Sequence, residues 1–300
     1  MKKRRIAAVM MMVLLACQAS FALGEGYFLP LDFSRGYAPN PAGYLSETAY
    51  EDETISVSLE SRKIGDSVYN IAWVKISDPT QLRTALAGPY GSKKTAKPLQ
   101  MATEANAVVA INGDYFQYSS RGYTVRQGET YIKTLSKKGL DLLIIDENGD
   151  FHILKKSGKT DLAAFLESGH TVVNAFTFGP ALVMDGEVQV VYNSYGFSPQ
   201  DRAPRVAIGQ AGPLEYVLVM VEGRMDGYSR GITLKMLAEF MGELGCQEAF
   251  NLDGGGSSAM VFNGQYYNKM DDKSARNISD IIYFASAVPE DTWQGAQDKE

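Results

Sequence analysis

The chain has 300 residues, of which 45% are hydrophobic and 21% charged, and its formal net charge is −6. These proportions are typical of a globular protein and exclude an intrinsically disordered chain. The length allows one large domain or two small ones, with a core that needs no disulfide to stabilise it.

The N-terminus has the layout of a secretory signal. Four basic residues at positions 2–5 precede an apolar run at residues 6–16, and small residues follow up to Ala22. This layout predicts a signal peptide over residues 1–22, and the apolar run is too short for a permanent membrane span. Two processing routes stay open, which are cleavage after Ala22 and lipid attachment at Cys17. We expect a secreted or cell-envelope bacterial protein that touches a membrane only through such a lipid.

The charge and cysteine content limit the partners of the exported chain. Loss of residues 1–22 would leave 25 basic and 35 acidic residues, a formal charge of −10. Such a surface repels nucleic acid, so no nucleic-acid partner is expected. Apart from a lipidated Cys17, only Cys246 would remain, which excludes an intramolecular disulfide. Cys246 closes an apolar helical pattern, and this position favours a buried, inert thiol.

The hydrophobic periodicity predicts many short strands and few helices. Residues 23–49 are rich in Gly, Pro, Tyr and Asn and are predicted to be an irregular lead-in segment, whereas residues 289–300 form a polar tail. Between them, residues 50–288 are predicted to be a single α+β domain with a mixed, largely antiparallel sheet and a few packed helices. In chain order, we predict strands at 55–59 and 69–76, helices at 79–86 and 98–106, a strand at 107–111, strands at 141–146 and 151–154, a helix at 162–167, strands at 178–184, 187–192, 205–209 and 215–221, a helix between Thr233 and Gly245, and strands at 249–252, 259–262, 266–267 and 281–287.

A glycine-rich loop is the strongest candidate for chemistry. After the predicted strand at 249–252 the chain continues as Asp253-Gly254-Gly255-Gly256-Ser257-Ser258. Three consecutive glycines lose much conformational entropy on folding, and their amides can form a concave anion site. The loop lacks the Lys-Ser/Thr of a P-loop and the Gly-x-Ser-x-Gly of a nucleophile elbow. We expect it to bind an anion, and a merely flexible loop is the alternative.

Two further groups of residues accompany this loop. Asn112-Gly113-Asp114 follows the apolar strand at 107–111, which would present both polar side chains at a strand end. Arginine offers a planar fork that suits phosphate, and the candidates are Arg202, Arg205, Arg224, Arg230 and Arg276. Arg205 and Arg224 lie at opposite ends of a predicted strand pair, so the pattern does not require them to be close.

The histidine content excludes several mechanisms. The chain has two histidines, His152 and His170, and neither lies near these motifs in the sequence. A Ser-His-Asp triad or a multi-histidine zinc site is therefore not expected. Carboxylates, amides and arginines must carry the chemistry, and no cofactor or metal is expected.

Six motifs in order resemble the phosphodiester glycosidase family. They are Ala110-Ile111-Asn112-Gly113-Asp114-Tyr115-Phe116, Gly179-Pro180-Ala181-Leu182-Val183, Pro204-Arg205-Val206-Ala207-Ile208-Gly209, Gly223-Arg224, Gly231-Ile232-Thr233-Leu234 and Asn251-Leu252-Asp253-Gly254-Gly255-Gly256-Ser257-Ser258. The resemblance spans roughly residues 50–287, and Arg276-Asn277-Ile278-Ser279-Asp280 is similar to the family's final motif. It implies an α+β catalytic domain that hydrolyses a sugar-phosphate diester, without identifying the sugar.

The expected reaction is cleavage of a sugar-1-phosphate diester at the anomeric carbon, with phosphate as the leaving group. We assign Asp114 and Asp253 as the carboxylates and Asn112 as the residue that orients sugar or water. Arg205, Arg224, Arg276 and the loop residues Gly254 to Ser258, above all the amides of Gly255 and Gly256, are expected to hold phosphate. Two alternatives stay open. One is a non-catalytic envelope module that binds phosphodiester-containing glycans, and the other is a phosphodiesterase with a divalent cation on Asp114 and Asp253.

Overall fold

A computed structural model describes residues 27–114, 122–134, 140–191, 198–270 and 275–293. The predicted signal peptide, Cys17, the motif residues Tyr115 and Phe116 and most of the polar tail lie outside these ranges. Among the described residues, no helix is both long and apolar enough to cross a membrane.

The described chain is built mainly from strands. They are β1 (Tyr44–Ser46), β2 (Ala49–Glu51), β3 (Ile55–Ile64), β4 (Ser67–Ile76), β5 (Leu82–Leu86), β6 (Val109–Asn112), β7 (Gly122–Arg126), β8 (Glu129–Thr134), β9 (Leu140–Asp146), β10 (Phe151–Ser157), β11 (Val172–Phe176), β12 (Ala181–Met184), β13 (Glu187–Val188), β14 (Arg205–Gly212), β15 (Glu215–Val221), β16 (Glu248–Asn251), β17 (Met260–Phe262), β18 (Gln265–Tyr266) and β19 (Asp280–Phe284). The α-helices are α1 (Pro98–Glu104), α2 (Lys159–Glu167) and α3 (Leu234–Glu243).

The strands form three sheets. Sheet A has nine strands in the order β1-β2-β3-β4-β15-β14-β16-β12-β13, sheet B has the order β10-β9-β11-β7-β8, and sheet C has the order β18-β17-β6-β19-β5. Every strand pair within the described residues is antiparallel. The prediction of a single mixed, largely antiparallel sheet was wrong in the number of sheets and in expecting parallel pairs, whereas the antiparallel character and a sheet-rich α+β domain are confirmed.

Sheet A is covered on both faces at its centre, which explains its apolar strands. In β4, Ala72 and Val74 belong to the main core, whereas Tyr69 and Ile71 belong to a second core on the other face. The second core lies under α3, whose N-terminal residue Leu234 follows the predicted cap Thr233. Strands buried on both sides lose the simple alternation of apolar and polar residues.

The two smaller sheets each place a helix on their outer face. Helix α1 covers sheet C through a cluster that includes Met101 and Ile281, and α2 covers sheet B through Leu162 and Ile144. The inner faces of all three sheets meet in the main core. The loops at their ends consequently lie close together, which sets the position of the candidate site.

The predicted helix at residues 79–86 is a single helical turn, Pro79–Gln81, followed by a strand. Asp78 does form a capping box with Gln81, but the helical turn ends there and β5 begins at Leu82. Strand β5 pairs along its length with β19. A local cap signal therefore starts one turn, and pairing with a distant strand determines the conformation of the residues after it.

The lead-in residues are more ordered than predicted. Strands β1 and β2 form a hairpin that extends sheet A, and Leu29 is buried in the core of sheet C. The buried guanidinium of Arg83 donates to the main-chain oxygens of Pro30 and Ser34, at 3.1 and 2.8 Å. The described part of this segment is thus packed against the domain.

Cys246 lies in the core under α3 and is buried, as predicted. Burial raises the pKa of its thiol to about 12. The thiolate is therefore scarce at neutral pH, which fits an inert cysteine.

Candidate active site

Asn112 joins the ends of two sheets. It is the last residue of β6 in sheet C, and Asp253 follows β16 in sheet A. The Asn112 Nδ2 atom donates to the main-chain oxygen of Asp253 at 2.8 Å and to that of Gly113 at 3.1 Å. Its Oδ1 atom accepts from the Ala259 amide at 3.1 Å. Because these polar atoms are engaged with the main chain, the geometry favours a positioning role over the expected contact with sugar or water.

Asp114 and Asp253 line the same cavity, although 138 residues separate them in the sequence. The cavity has a volume of about 450 Å³. It is lined by Asn112, Gly113, Asp114, Asp253, Ser257, Arg276, Asn277, Ile278 and Ser279. Two carboxylates, an arginine and part of the glycine-rich loop are therefore within reach of one small ligand.

Arg126 was not predicted, and it pairs with Asp114, one of the two carboxylates that line this cavity. Its side chain is 1% exposed. It reaches from β7 in sheet B to Asp114 Oδ1 at 2.9 Å and to Asp280 Oδ2 at 2.8 Å. The guanidinium also lies over the Phe176 ring, 3.9 Å from its centroid. A cation–π contact and a buried ion pair together fix the position of the Asp114 carboxylate.

Asp280 is a third carboxylate at this point. Burial raises the pKa of Asp280 to about 8, and the charge of Asp114 acts in the same direction. A Cβ atom on Gly113 would lie 2.5 Å from Asp280 Oδ1, so this glycine makes room for the carboxyl group. Burial therefore favours the protonated form of the Asp280 carboxyl group in this cluster.

Asp253 has a partly buried side chain at the entrance of the glycine-rich loop. Burial raises the pKa of Asp253, while hydrogen bonds from Ser257 and the Gly254 amide oppose that change. The Gly254 amide lies 2.9 Å from Asp253 Oδ1. A carboxyl group with a raised pKa in a cavity is suited to exchange protons with a ligand.

The glycine-rich loop turns sharply after Asp253. Gly255 has a φ of +61°, and its amide donates to the Pro204 carbonyl at 2.9 Å. The Gly256 amide has no acceptor among the described residues. Of the two amides predicted to hold an anion, only that of Gly256 is therefore available for this contact within the described chain. The Ser258 hydroxyl is buried and likewise has no partner within the described chain.

Two exposed arginines lie over the loop. The guanidinium of Arg224 is 3.4 Å from an ideal Cβ position on Gly255, and that of Arg276 is 3.0 Å from the same position on Gly256. The absence of side chains at both glycines therefore lets the guanidinium groups approach the main chain. Arg276 lines the cavity, whereas Arg224 is not among its lining residues.

Arg205 packs beside Gly254 of the glycine-rich loop, where its Cδ atom lies 3.8 Å from an ideal Cβ position on that glycine. Its guanidinium donates to the main-chain oxygens of Ser198 at 3.0 Å and Asp201 at 2.9 Å, and it is buried. This geometry favours a supporting role over the expected contact with phosphate. Burial and the nearby charge of Arg224 lower the pKa of Arg205.

Arg205 and Arg224 are closer than their sequence positions suggested. Arg205 begins β14 and pairs with Val221 at the end of β15, because the two strands are antiparallel. The first residue of β14 and the last residue of β15 therefore lie at the same end of sheet A, and Arg224 follows β15 at that end. The glycine-rich loop lies at the same end of sheet A, because it follows β16, which pairs with β14.

Known proteins share this sequence pattern and fold. A family model described as phosphodiester glycosidase matches residues 105–285. The SPβ prophage-derived uncharacterized protein YomE of Bacillus subtilis (strain 168) is 28% identical over 197 residues, which cover 64% of this chain and 30% of that protein. The matched region thus spans less than a third of this relative.

Two solved structures have a similar fold. The catalytic domain of zebrafish N-acetylglucosamine-1-phosphodiester α-N-acetylglucosaminidase, auto-inhibited by its pro-peptide, superposes with a TM-score of 0.61 at 18% identity, covering 84% of this chain and 87% of that one. A hypothetical protein from Synechocystis gives 0.52 at 20% identity, covering 80% and 64%. At these identities the likeness is one of fold. The family model, which spans more than half of the residues and includes both aspartates, shows that the chain belongs to the phosphodiester glycosidase family.

Proposed function

We propose that the protein is an exported hydrolase that cleaves a sugar-1-phosphate diester at the bond between the anomeric carbon and the phosphate oxygen. The observation that carries this proposal is the shared cavity of Asp114 and Asp253, with Arg276 on its wall. A volume of about 450 Å³ suits one sugar ring with its phosphate. Membership of the family supports the same class of substrate.

The residues divide the chemistry between them. Asp114 is held by Arg126 and is proposed to face the anomeric carbon as its positive charge develops. Asp253, whose pKa is raised by burial, exchanges a proton with water or with the departing group. A phosphomonoester has a second pKa of about 6, so it leaves as an anion with little need of a strong acid. Arg276 and the Gly256 amide are proposed to take up that growing negative charge.

Cleavage in ¹⁸O-labelled water tests the bond that breaks. The substrates are simple alkyl diesters of sugar 1-phosphates, beginning with N-acetylglucosamine 1-phosphate, the sugar named for the zebrafish structure. We expect ¹⁸O in the released sugar and none in the phosphate. Label in the phosphate would instead support a phosphodiesterase, and tight binding without any product would support a binding module.

Arg276 should contribute to the binding of the phosphate. Replacement of Arg276 by Ala is expected to lower kcat/KM about 10- to 100-fold, because a hydrogen bond to a charged group is worth about 1.5–3 kcal/mol. Arg276 is exposed, so the variant should fold normally. Steady-state kinetics on a cleaved diester measures the effect.

The matched control is Arg230→Ala. Arg230 has a side chain that is 68% exposed and pairs only loosely with Asp66, at 3.4 Å. It does not line the cavity, so its loss should leave kcat/KM within about twofold. Equal losses in both variants would argue against a specific role for Arg276.

A further inference from the structure

A second cluster of polar side chains lies at one end of sheet B. Asp146 ends β9, His152 lies on β10, and His170 precedes β11. His152 Nε2 and His170 Nδ1 lie 2.9 and 3.0 Å from the same oxygen, Asp146 Oδ2. One oxygen and two ring nitrogens, each from a different chain segment, fall within 4.8 Å of one another.

The surroundings hold these three groups in place. The Asp146 side chain is completely buried, and its Oδ1 atom accepts from the amides of Asn148 at 2.8 Å and Asp150 at 3.0 Å. Oδ2 is thereby directed at the two rings. The ring of Phe165 stacks on His170, with centroids 5.8 Å apart and an interplanar angle of 18°. The cluster is therefore organised before any ligand arrives.

The His170 Nδ1 atom provides the observation that favours a ligand. It is buried and makes no hydrogen bond of acceptable geometry, although it lies only 3.0 Å from Asp146 Oδ2. A buried polar atom without a well-directed hydrogen bond is uncommon in folded proteins, and it points to a partner that the protein itself does not supply. A cation that both Nδ1 and Asp146 Oδ2 face would be such a partner.

The sequence predicted no multi-histidine zinc site, but the fold brings both histidines to one carboxylate, and we propose that Asp146, His152 and His170 bind one divalent transition-metal ion of the zinc class. Two imidazole nitrogens and one carboxylate oxygen are a donor set that suits such ions, whereas Mg²⁺ and Ca²⁺ prefer oxygen alone. Zinc bonds of about 2.0–2.2 Å in a tetrahedron put donor atoms roughly 3.3 Å apart, close to the distances seen here. Glu147 Oε1, which lies 3.6 Å from His170 Nδ1, or a water completes the coordination.

The site has a structural role in this proposal. The bound ion would link the β9–β10 hairpin, which contains Asp146 and His152, to the connection between α2 and β11, which contains His170. The hairpin in turn holds the far end of β14, because Asp150 Oδ1 accepts from Gln210 Nε2 at 2.8 Å. Arg205 is five residues away along β14, a distance of roughly 17 Å in a strand. None of the three proposed ligands lines the cavity of Asp114 and Asp253, so the ion is separate from that cavity, and the proposal does not depend on the proposed reaction.

Titration of the chelator-treated, tag-free protein with Zn²⁺ tests the proposal. We expect one equivalent to bind by calorimetry, and at 100-fold excess over Kd a rise in Tm of about 5 °C or more. Co²⁺ should give visible absorption bands typical of nitrogen and oxygen ligands, and Mg²⁺ should give neither effect. A protein that takes up no Zn²⁺, or that responds equally to Mg²⁺, would overturn the proposal.

The variants locate the ion. His152→Gln and His170→Gln keep a hydrogen-bonding side chain at partly exposed positions. Each removes a proposed ligand and should weaken Zn²⁺ binding by more than the roughly 10- to 100-fold that loss of an outer-shell partner costs. Asp253→Asn should bind Zn²⁺ as the parent protein does. Binding that survives both histidine changes, or that is lost with Asp253, would place the metal elsewhere and refute this site.

Discussion

Replacement of Asp253 by Asn is expected to lower kcat at least about 100-fold. Asn has nearly the same shape but cannot exchange a proton, and general acid–base catalysis contributes about 10²- to 10⁴-fold. The side-chain oxygen of Asn can still accept the hydrogen bond from the main-chain amide of Gly254, so the loop should keep its conformation. Initial rates on a cleaved diester measure the loss, and full activity would remove Asp253 from the mechanism.

The stability of the Asp253→Asn variant should show that the fold persists. Because burial raises the pKa of Asp253 in the folded state, the folded protein binds its proton more tightly than the unfolded chain. The stability that this group contributes is present at low pH and is lost as pH rises above the unfolded value of about 3.9. The Tm of the variant minus that of the parent protein should therefore be larger at pH 8 than at pH 4.

Asp185→Asn is the matched control for this prediction. Asp185 is exposed in the β12–β13 turn, where φ is +51°, and it is followed by Gly186. An Asn-Gly turn suits that conformation. The control should keep both its rate and its Tm, and a comparable fall in rate would indicate that the effect of Asp253 is not specific.

Replacement of Arg126 by Met is expected to be the most destabilising of these changes. It removes the guanidinium that is shared by Asp114 and Asp280, and loss of one partner of a buried ion pair costs about 3–5 kcal/mol. For a domain of this size that corresponds to a fall in Tm of roughly 6–20 °C. Thermal or denaturant unfolding measures it.

The pH dependence of this loss follows from Asp280. Its pKa is raised to about 8 in the folded protein, so its folding contribution is present in acid and declines as pH rises through that value. Without Arg126 the carboxyl group is still harder to ionise, so the variant should lose less stability at pH 5 than at pH 8. Addition of Asp280→Asn should recover part of the loss. A loss that does not change with pH would contradict this account.

Arg202→Met provides the comparison for Arg126. Arg202 forms an ion pair with Asp66 on the surface, where the two side chains are 35% and 44% exposed. Exposed pairs of this kind contribute about 0–1 kcal/mol, so the change in Tm should be small. A large effect here would mean that any arginine loss is costly in this protein, whatever its burial.

The two loops of the site could be predicted from sequence because each follows a short apolar strand and contains residues with special backbone needs. Asn112 and the glycines after Asp253 are of this kind. Arg126 could not be ranked in the same way, since its partner Asp280 is 154 residues away and lies in another sheet. Strand β7 was itself not predicted, and its complete burial, which would have singled out the arginine at its end, appears only in the structure.

The strand content was predictable, but its arrangement was not. The hairpins β9–β10, β12–β13 and β17–β18 have short turns with recognisable glycines, so their pairing is local. Strands β7, β8 and β11 were not predicted, and β5 was mistaken for a helix. Strands β5, β7 and β11 pair with partners that are distant in the sequence, and the local sequence does not determine which strand each of them pairs with. The expected single sheet therefore appears as three.

The pairing in sheets A and C limits how far the N-terminus of this protein can be truncated for expression. The family model begins at residue 105, yet β4 pairs with the full length of β15, and β5 pairs with β19. A fragment cut at that boundary would leave two apolar strand edges open to solvent, ready to recruit other chains. The smallest piece worth expressing therefore starts ahead of the β1–β2 hairpin.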